Sequence, residues 1–199
     1  MITRLKLSTI EQGLPKYRSM LAGNDAYIPT SFDSIATATG TGSSSTITFS
    51  SIPSTYQHLQ IRGMGFGNSG GQLFLRINGD TGSNYTRHRV LGYNSSVFAS
   101  GETSQTSIRV CVDDISYASM GTLYPTVAII DIHDYASTAK NKTVRTFGGI
   151  DSNSAGNSEI DLTSGLWLST SAVTSISLVI SAGSFTTNST FALYGIRGA

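Results

Sequence analysis

The chain has 199 residues, of which 39% are hydrophobic and only 13% charged, with a formal net charge of +1. Globular chains average about 25% charged residues, so Ser, Thr, Gly and Asn here fill polar positions that Lys and Glu hold on helical surfaces. That composition favours strands and turns. It gives no global electrostatic attraction to nucleic acid or an anionic membrane, and the length suffices for one buried core.

Residues 1–30 read differently from the rest. Over residues 1–24 there are four basic side chains (Arg4, Lys6, Lys16, Arg18) and one acid (Glu11), a charge of +3; the remaining residues carry nine basic and eleven acidic, a charge of −2. Leu5, Leu7, Ile10, Leu14, Tyr17, Met20 and Leu21 are interspersed with these charges. Ser8–Glu11 fits a capping box, but Gly13 and Pro15 stop a long helix. An extended arm with one or two helical turns is predicted, and its apolar side chains need another surface to bury them. No apolar core of a secretory signal follows Arg4 and Lys6, and no run reaches the 18 or so apolar residues of a membrane-spanning helix. Ala22–Asp25 and Pro29 read as a linker.

From about Phe32 the pattern is short strands punctuated by turns. Strands are predicted at Ser44–Phe49, His58–Arg62, Gln72–Ile77, Tyr85–Leu91, Ser107–Val112, Thr126–His133, Thr143–Phe147, Gly165–Leu168, Ser175–Ile180 and Ser189–Ile196. Asn78-Gly79 is the strongest turn signal, because both residues tolerate positive φ, and the loop is expected to run on through Gly82. In Thr126–His133, Ala128, Ile130 and Ile132 share one face while Val127 and Ile129 share the other, so cover on both faces is expected for part of the strand. The absence of amphipathic helical segments among these strands points to an antiparallel two-sheet sandwich of jelly-roll type over residues 31–199.

Several phrases resemble small virion structural proteins of tailed bacteriophages, of the type that infects cyanobacteria and other aquatic bacteria. They are Lys16–Asn24, Phe49–Arg62, Asn78–Tyr85, Asp131–Lys142 and Phe191–Arg197. The resemblance spans nearly the whole chain and carries no catalytic signature. It implies a virion surface component on a jelly-roll-like sandwich, commonly oligomeric, and it transfers no site residues.

The chemical motifs read as structure. Gly65-Phe-Gly-Asn-Ser-Gly70 matches a dinucleotide fingerprint and overlaps a hydrolase-elbow pattern at Ser69, but a strand follows where both motifs need a helix. Asp151–Gly156 imitates the start of a calcium loop, yet Ala155 and Leu162 stand where oxygen ligands belong. His58, His88 and His133 lack metal-ligand spacing, and solvated or cross-strand roles are expected. Cys111 is the only cysteine, so no internal disulfide is expected, and it reads as a small buried strand residue. The sequons at Asn84, Asn94, Asn141 and Asn188 follow from Ser/Thr richness. No catalytic residue, metal or cofactor is assigned.

The reading is therefore a non-enzymatic virion protein on the particle surface, synthesised in the host cytoplasm, most simply a capsid decoration protein. Its arm (Arg4, Leu5, Lys6, Leu7, Ile10, Leu14, Lys16, Tyr17, Arg18, Met20, Leu21) docks it to the major capsid protein or other virion proteins, and the domain forms a homo-oligomer, expected as a trimer. No nucleic acid or membrane partner is expected. The alternative is a receptor-binding module of a tail fibre or tail tip that recognises host glycan. For that role Arg87 and Arg89 form a basic run suited to a sugar acid or phosphate. Trp167, alternating with Leu166 and Leu168, is a sugar platform or interface anchor if the leucines face the core; partial core burial is the open alternative.

Overall fold

A computed structural model describes residues 31–111, 115–116, 124–153 and 158–197 of the chain. The chain divides into two units, Met1–Ser31 and Phe32–Ala199. The predicted arm lies outside the described residues, and the predicted strands all belong to the second unit.

Among the described residues, twelve strands run β1 (Phe32–Thr39), β2 (Thr46–Phe49), β3 (His58–Gly65), β4 (Leu73–Ile77), β5 (Tyr85–Tyr93), β6 (Ser96–Gln105), β7 (Ile108–Cys111), β8 (Thr126–Ile132), β9 (Lys142–Ile150), β10 (Glu159–Trp167), β11 (Ile176–Ile180) and β12 (Thr190–Ile196). An eight-stranded sheet has the order β1-β12-β3-β8-β9-β10-β5-β6, and a four-stranded sheet the order β2-β11-β4-β7. All neighbours are antiparallel.

With the pairs β5–β6 and β9–β10 set aside, eight strands remain. They lie as β1-β12-β3-β8 opposite β2-β11-β4-β7, the double Greek key of a jelly roll. The two pairs are insertions between successive jelly-roll strands. They join the end of one sheet and make it twice as wide as the sheet facing it. The expected antiparallel jelly-roll-like sandwich is therefore the fold, with one sheet extended.

The core follows from period-two alternation. Leu73, Leu75 and Ile77 of β4 and Ile176, Leu178 and Ile180 of β11 point inward from the small sheet. Leu59 and Ile61 of β3, Ile130 and Ile132 of β8, and Phe191 and Leu193 of β12 meet them from the large one. Each fully buried Leu, Ile or Phe contributes about 1.5–3 kcal/mol relative to exposure.

The β4–β5 turn takes the expected form. Asn78 (φ 52°) and Gly79 (φ 68°) are both left-handed, and Asp80 N–H closes the turn on the Ile77 carbonyl at 2.9 Å. The Asn78 side chain ties this turn to the β10–β11 loop. It donates to the Ala172 carbonyl (2.8 Å) and accepts the N–H groups of Thr174 (2.8 Å) and Ser175 (3.0 Å).

Two strands, and residues 159–164 of β10 before the predicted Gly165–Leu168, escape the sequence pattern. In β1 and β6, Ser, Thr, Ala and Gly dilute the large apolar residues that announce a half-buried strand. Both are edge strands of the large sheet, where less apolar burial is available. The glycine-rich stretch at 65–70 connects β3 to β4, which lie in different sheets, so it is an inter-sheet crossing instead of a hairpin loop.

Candidate functional site

In the inserted half of the large sheet, polar side chains share the inward face with core residues such as Val144, Tyr85 and Trp167, while large apolar side chains stand on the outward face. One inward-facing row shows the change. From β12 it reads Leu193, Ile61, Ile130, then Thr146 on β9, Thr163 on β10 and Arg89 on β5. The neighbouring outward-facing row starts at Ala192 and Arg62, then becomes Ile129, Phe147, Leu162, Val90 and Ala99. The inward row thus turns polar between β8 and β9, and the outward row turns apolar one strand earlier, between β3 and β8.

The inward polar groups are paired. Arg89 Nε donates to Asp161 Oδ2 at 2.6 Å, with side-chain exposures of 8% and 0%. Arg87 Nη2 donates to Glu102 Oε2 at 2.6 Å. Thr163 Oγ1 donates to Asp161 Oδ1 at 3.2 Å, and Thr146 Oγ1 to the Val110 carbonyl. β7 packs against β5, β9 and β10 and brings Arg109 and Cys111 over the same region. Burial raises the Asp161 carboxyl above its ordinary range despite Arg89. Burial also drives the Cys111 thiol far up, so it is a poor nucleophile.

These positions correct the predicted surface contacts. Arg87 and Arg89 point into the sandwich as buried ion-paired groups, because Tyr85 and Leu91 on the same face of β5 are core residues. His88 is the exposed member of the run. Trp167 is only 3% exposed, whereas Leu168 is exposed and Leu166 half-buried, so the alternation is the inverse of the outward-Trp reading. The Trp167 indole N–H donates to Asp80 Oδ2 at 2.7 Å. That bond is the largest cause lowering the Asp80 carboxyl, ahead of contributions from Asn84 and the Gly82 N–H. Next to it Tyr85 O–H donates to the Asp80 carbonyl (3.1 Å) and accepts the Ile77 N–H (3.0 Å), and burial pushes this phenol up to about 12. Trp167 therefore holds the β4–β5 loop against β10 and offers no platform to a sugar.

The other residues singled out in the sequence are also placed. His58 Nδ1 accepts the Asp134 N–H at 3.0 Å, and its ring meets His133 edge-on at 5.0 Å. Among the described residues no three His, Cys, Asp or Glu side chains are grouped to hold a metal. Residues 154–157 of the calcium-like loop and the arm residues Arg4 through Leu21 lie outside the described residues.

What remains on the surface is the outward face of β8, β9, β10 and β5. Val127, Phe147, Ile160, Leu162 and Val90 each keep about half their surface in solvent, and Val97 on β6 more than that. With Met64 and Ile129 they form a continuous apolar band across β3, β8, β9, β10, β5 and β6, the kind of exposed patch that marks an interaction site. Two parallel rows give it relief. Ile129, Phe147, Leu162 and Val90 make a ridge. Beside it, Gly149 and Gly92 interrupt the row Val127, Gly149, Ile160, Gly92, Val97, and both glycines line a groove of about 690 Å³ bordered by Ile129 and Phe147 of the ridge.

A side chain is excluded at Gly149, since a Cβ there would lie 2.3 Å from the Glu159 carbonyl oxygen. A polar row borders the ridge. There Arg62 Nε donates to Gln60 Oε1 (2.5 Å) and Gln60 Nε2 to Asp131 Oδ1 (2.6 Å), with Arg145 opposite Asp131. An apolar centre inside a polar rim is the anatomy of a protein–protein interface. Apolar residues at 160 and 162 were visible in the sequence, but which way they face is set by the register to β5 and β9. Comparison of the chain with protein families, with curated proteins and with solved structures finds no match.

Proposed function

We propose that this chain is a non-enzymatic structural protein of a phage particle, displayed on the particle surface as a homo-oligomer and serving as a capsid decoration protein. The observation that carries the binding role is the inverted half-sheet. Buried ion pairs are weak stabilisers, and an exposed apolar face gains nothing in an isolated domain. A sequence that puts Arg89 and Asp161 inside and Leu162 and Phe147 outside is favoured when the outer face is covered in an assembly. The phage assignment rests on the resemblance of the chain's phrases to virion proteins. The +3 arm supplies the contact with an acidic shell surface. The receptor-binding alternative loses its motivating residues, since Arg87, Arg89 and Trp167 are buried.

Immunogold imaging of the virions that encode the chain tests the location. Label distributed over the capsid is the expected result. Label confined to the tail tip would favour receptor binding, and unlabelled particles would overturn the virion reading. Deleting residues 1–24 should leave a folded domain that no longer binds particles; retained binding would remove the arm from the account.

A further inference from the structure

The ridge and the glycine-interrupted row lie side by side on one face, the second recessed at Gly149 on β9 and Gly92 on β5. We infer that two copies of this chain pair face to face about a two-fold axis, each ridge seated in the other's groove. The axis that achieves this runs across the strands over the inward row Ala128, Gly148, Asp161 and Leu91, which is continuous in the sheet register. A half-turn about it stacks β9 on β9 and β5 on β5 in opposite directions. It sets Phe147 over Gly149 of the second copy and Val90 over Gly92, so that on both strands a large side chain meets a glycine. On β10, Leu162 meets Ile160. Such an isologous contact needs one self-complementary face, which this is.

The same rotation aligns charge. Arg145 lies two residues before Phe147, and Asp151 lies two residues after Gly149. Both are exposed. The half-turn places Arg145 of each copy over Asp151 of the other, one pair at each end of β9. Arg145 makes no ion pair within the described residues. The sheets stack aligned, as in a β-sandwich. The pairing is two-fold where a trimer is expected from the sequence, and it does not depend on where in a particle the chain sits.

Sedimentation equilibrium of the full chain at micromolar concentration tests it, with circular dichroism confirming that each variant is folded. A species of twice the 21.0 kDa chain mass is expected. Phe147→Glu should raise the dissociation constant more than about 100-fold, because it places a charge in an apolar groove. Arg145→Glu and Asp151→Arg should each weaken pairing about tenfold at low salt, and the double exchange should restore it. A monomer at these concentrations, a three-fold mass, or a double exchange no tighter than the single variants would each overturn the inference.

Discussion

The buried Arg89–Asp161 pair gives the sharpest test of the inverted half-sheet. Truncation by Asp161→Ala leaves a guanidinium with a side-chain exposure of 8% and no carboxylate at 2.6 Å. Breaking one side of such a pair costs about 3–5 kcal/mol, because the surviving charge stays buried with that carboxylate gone. For a chain of this size that is a fall in Tm of about 6–20 °C. The companion variant removes both charges. Arg89→Met with Asp161→Leu fills the same space with apolar groups and should be at least as stable as the wild type, by up to about 4 kcal/mol. Urea denaturation of the wild type, each single variant and the double variant completes a cycle. A cost below about 1 kcal/mol for Asp161→Ala is what an exposed pair gives. That value would mean Asp161 does not face inward, and the inversion would fall with it. The pH dependence has a definite sign. The folded carboxyl sits above its ordinary 3.8, so its contribution to stability is complete below that value and is lost as pH rises through the folded pKa. Asp161→Asn should abolish this part of the profile.

Three further outcomes follow from the loops and core. Trp167 is the only tryptophan and is bonded to Asp80, whose carboxyl is lowered, so that contact is present above pH 3.8 and lost as pH falls through the folded pKa. Trp167 fluorescence should change with a midpoint below 3.8 that disappears in Asp80→Asn; a midpoint at or above 3.8 would contradict the assignment. Asn78→Ala removes four side-chain hydrogen bonds and a residue suited to φ 52°, and should cost about 2–4 kcal/mol by chemical denaturation; Asn78→Gly, which relieves the backbone alone, should recover only part of it. Cys111 should resist a thiol reagent in the native protein and react at the rate of global unfolding, because it is buried with a raised pKa; rapid labelling of folded protein would refute its burial.

The sequence makes part of this architecture legible. Leu73-Phe-Leu-Arg-Ile77 alternates cleanly and has both a burial pattern and a turn signal, so strand, facing and exit are all readable. The jelly-roll class follows from such strands and the absence of helical periodicity. The inversion is not readable in the same way. Ile160-Asp-Leu162 looks like a core-facing alternation, but hydrogen bonding to β5 sets Trp167 opposite Tyr85 and carries Asp161 inward with them. One residue of register exchanges the two faces of a strand, and only the partner strands fix it. The same register carries Arg87 and Arg89 inward, against the surface role expected for them, and decides the open reading of Trp167 for burial. Val127 and Ile129 gave the one accessible hint, because a strand apolar on both faces needs cover on both. The fold provides that cover on the inner side only.

Coverage of the outer face in the assembled protein is the central claim. Hydroxyl-radical footprinting of the full chain, dilute and concentrated, measures it residue by residue. Phe147 and Leu162 should lose several-fold in labelling on assembly, while Phe32, exposed on β1 outside the apolar band, keeps its reactivity and serves as the reference. Unchanged labelling of Phe147 relative to Phe32 across the concentration range would contradict it.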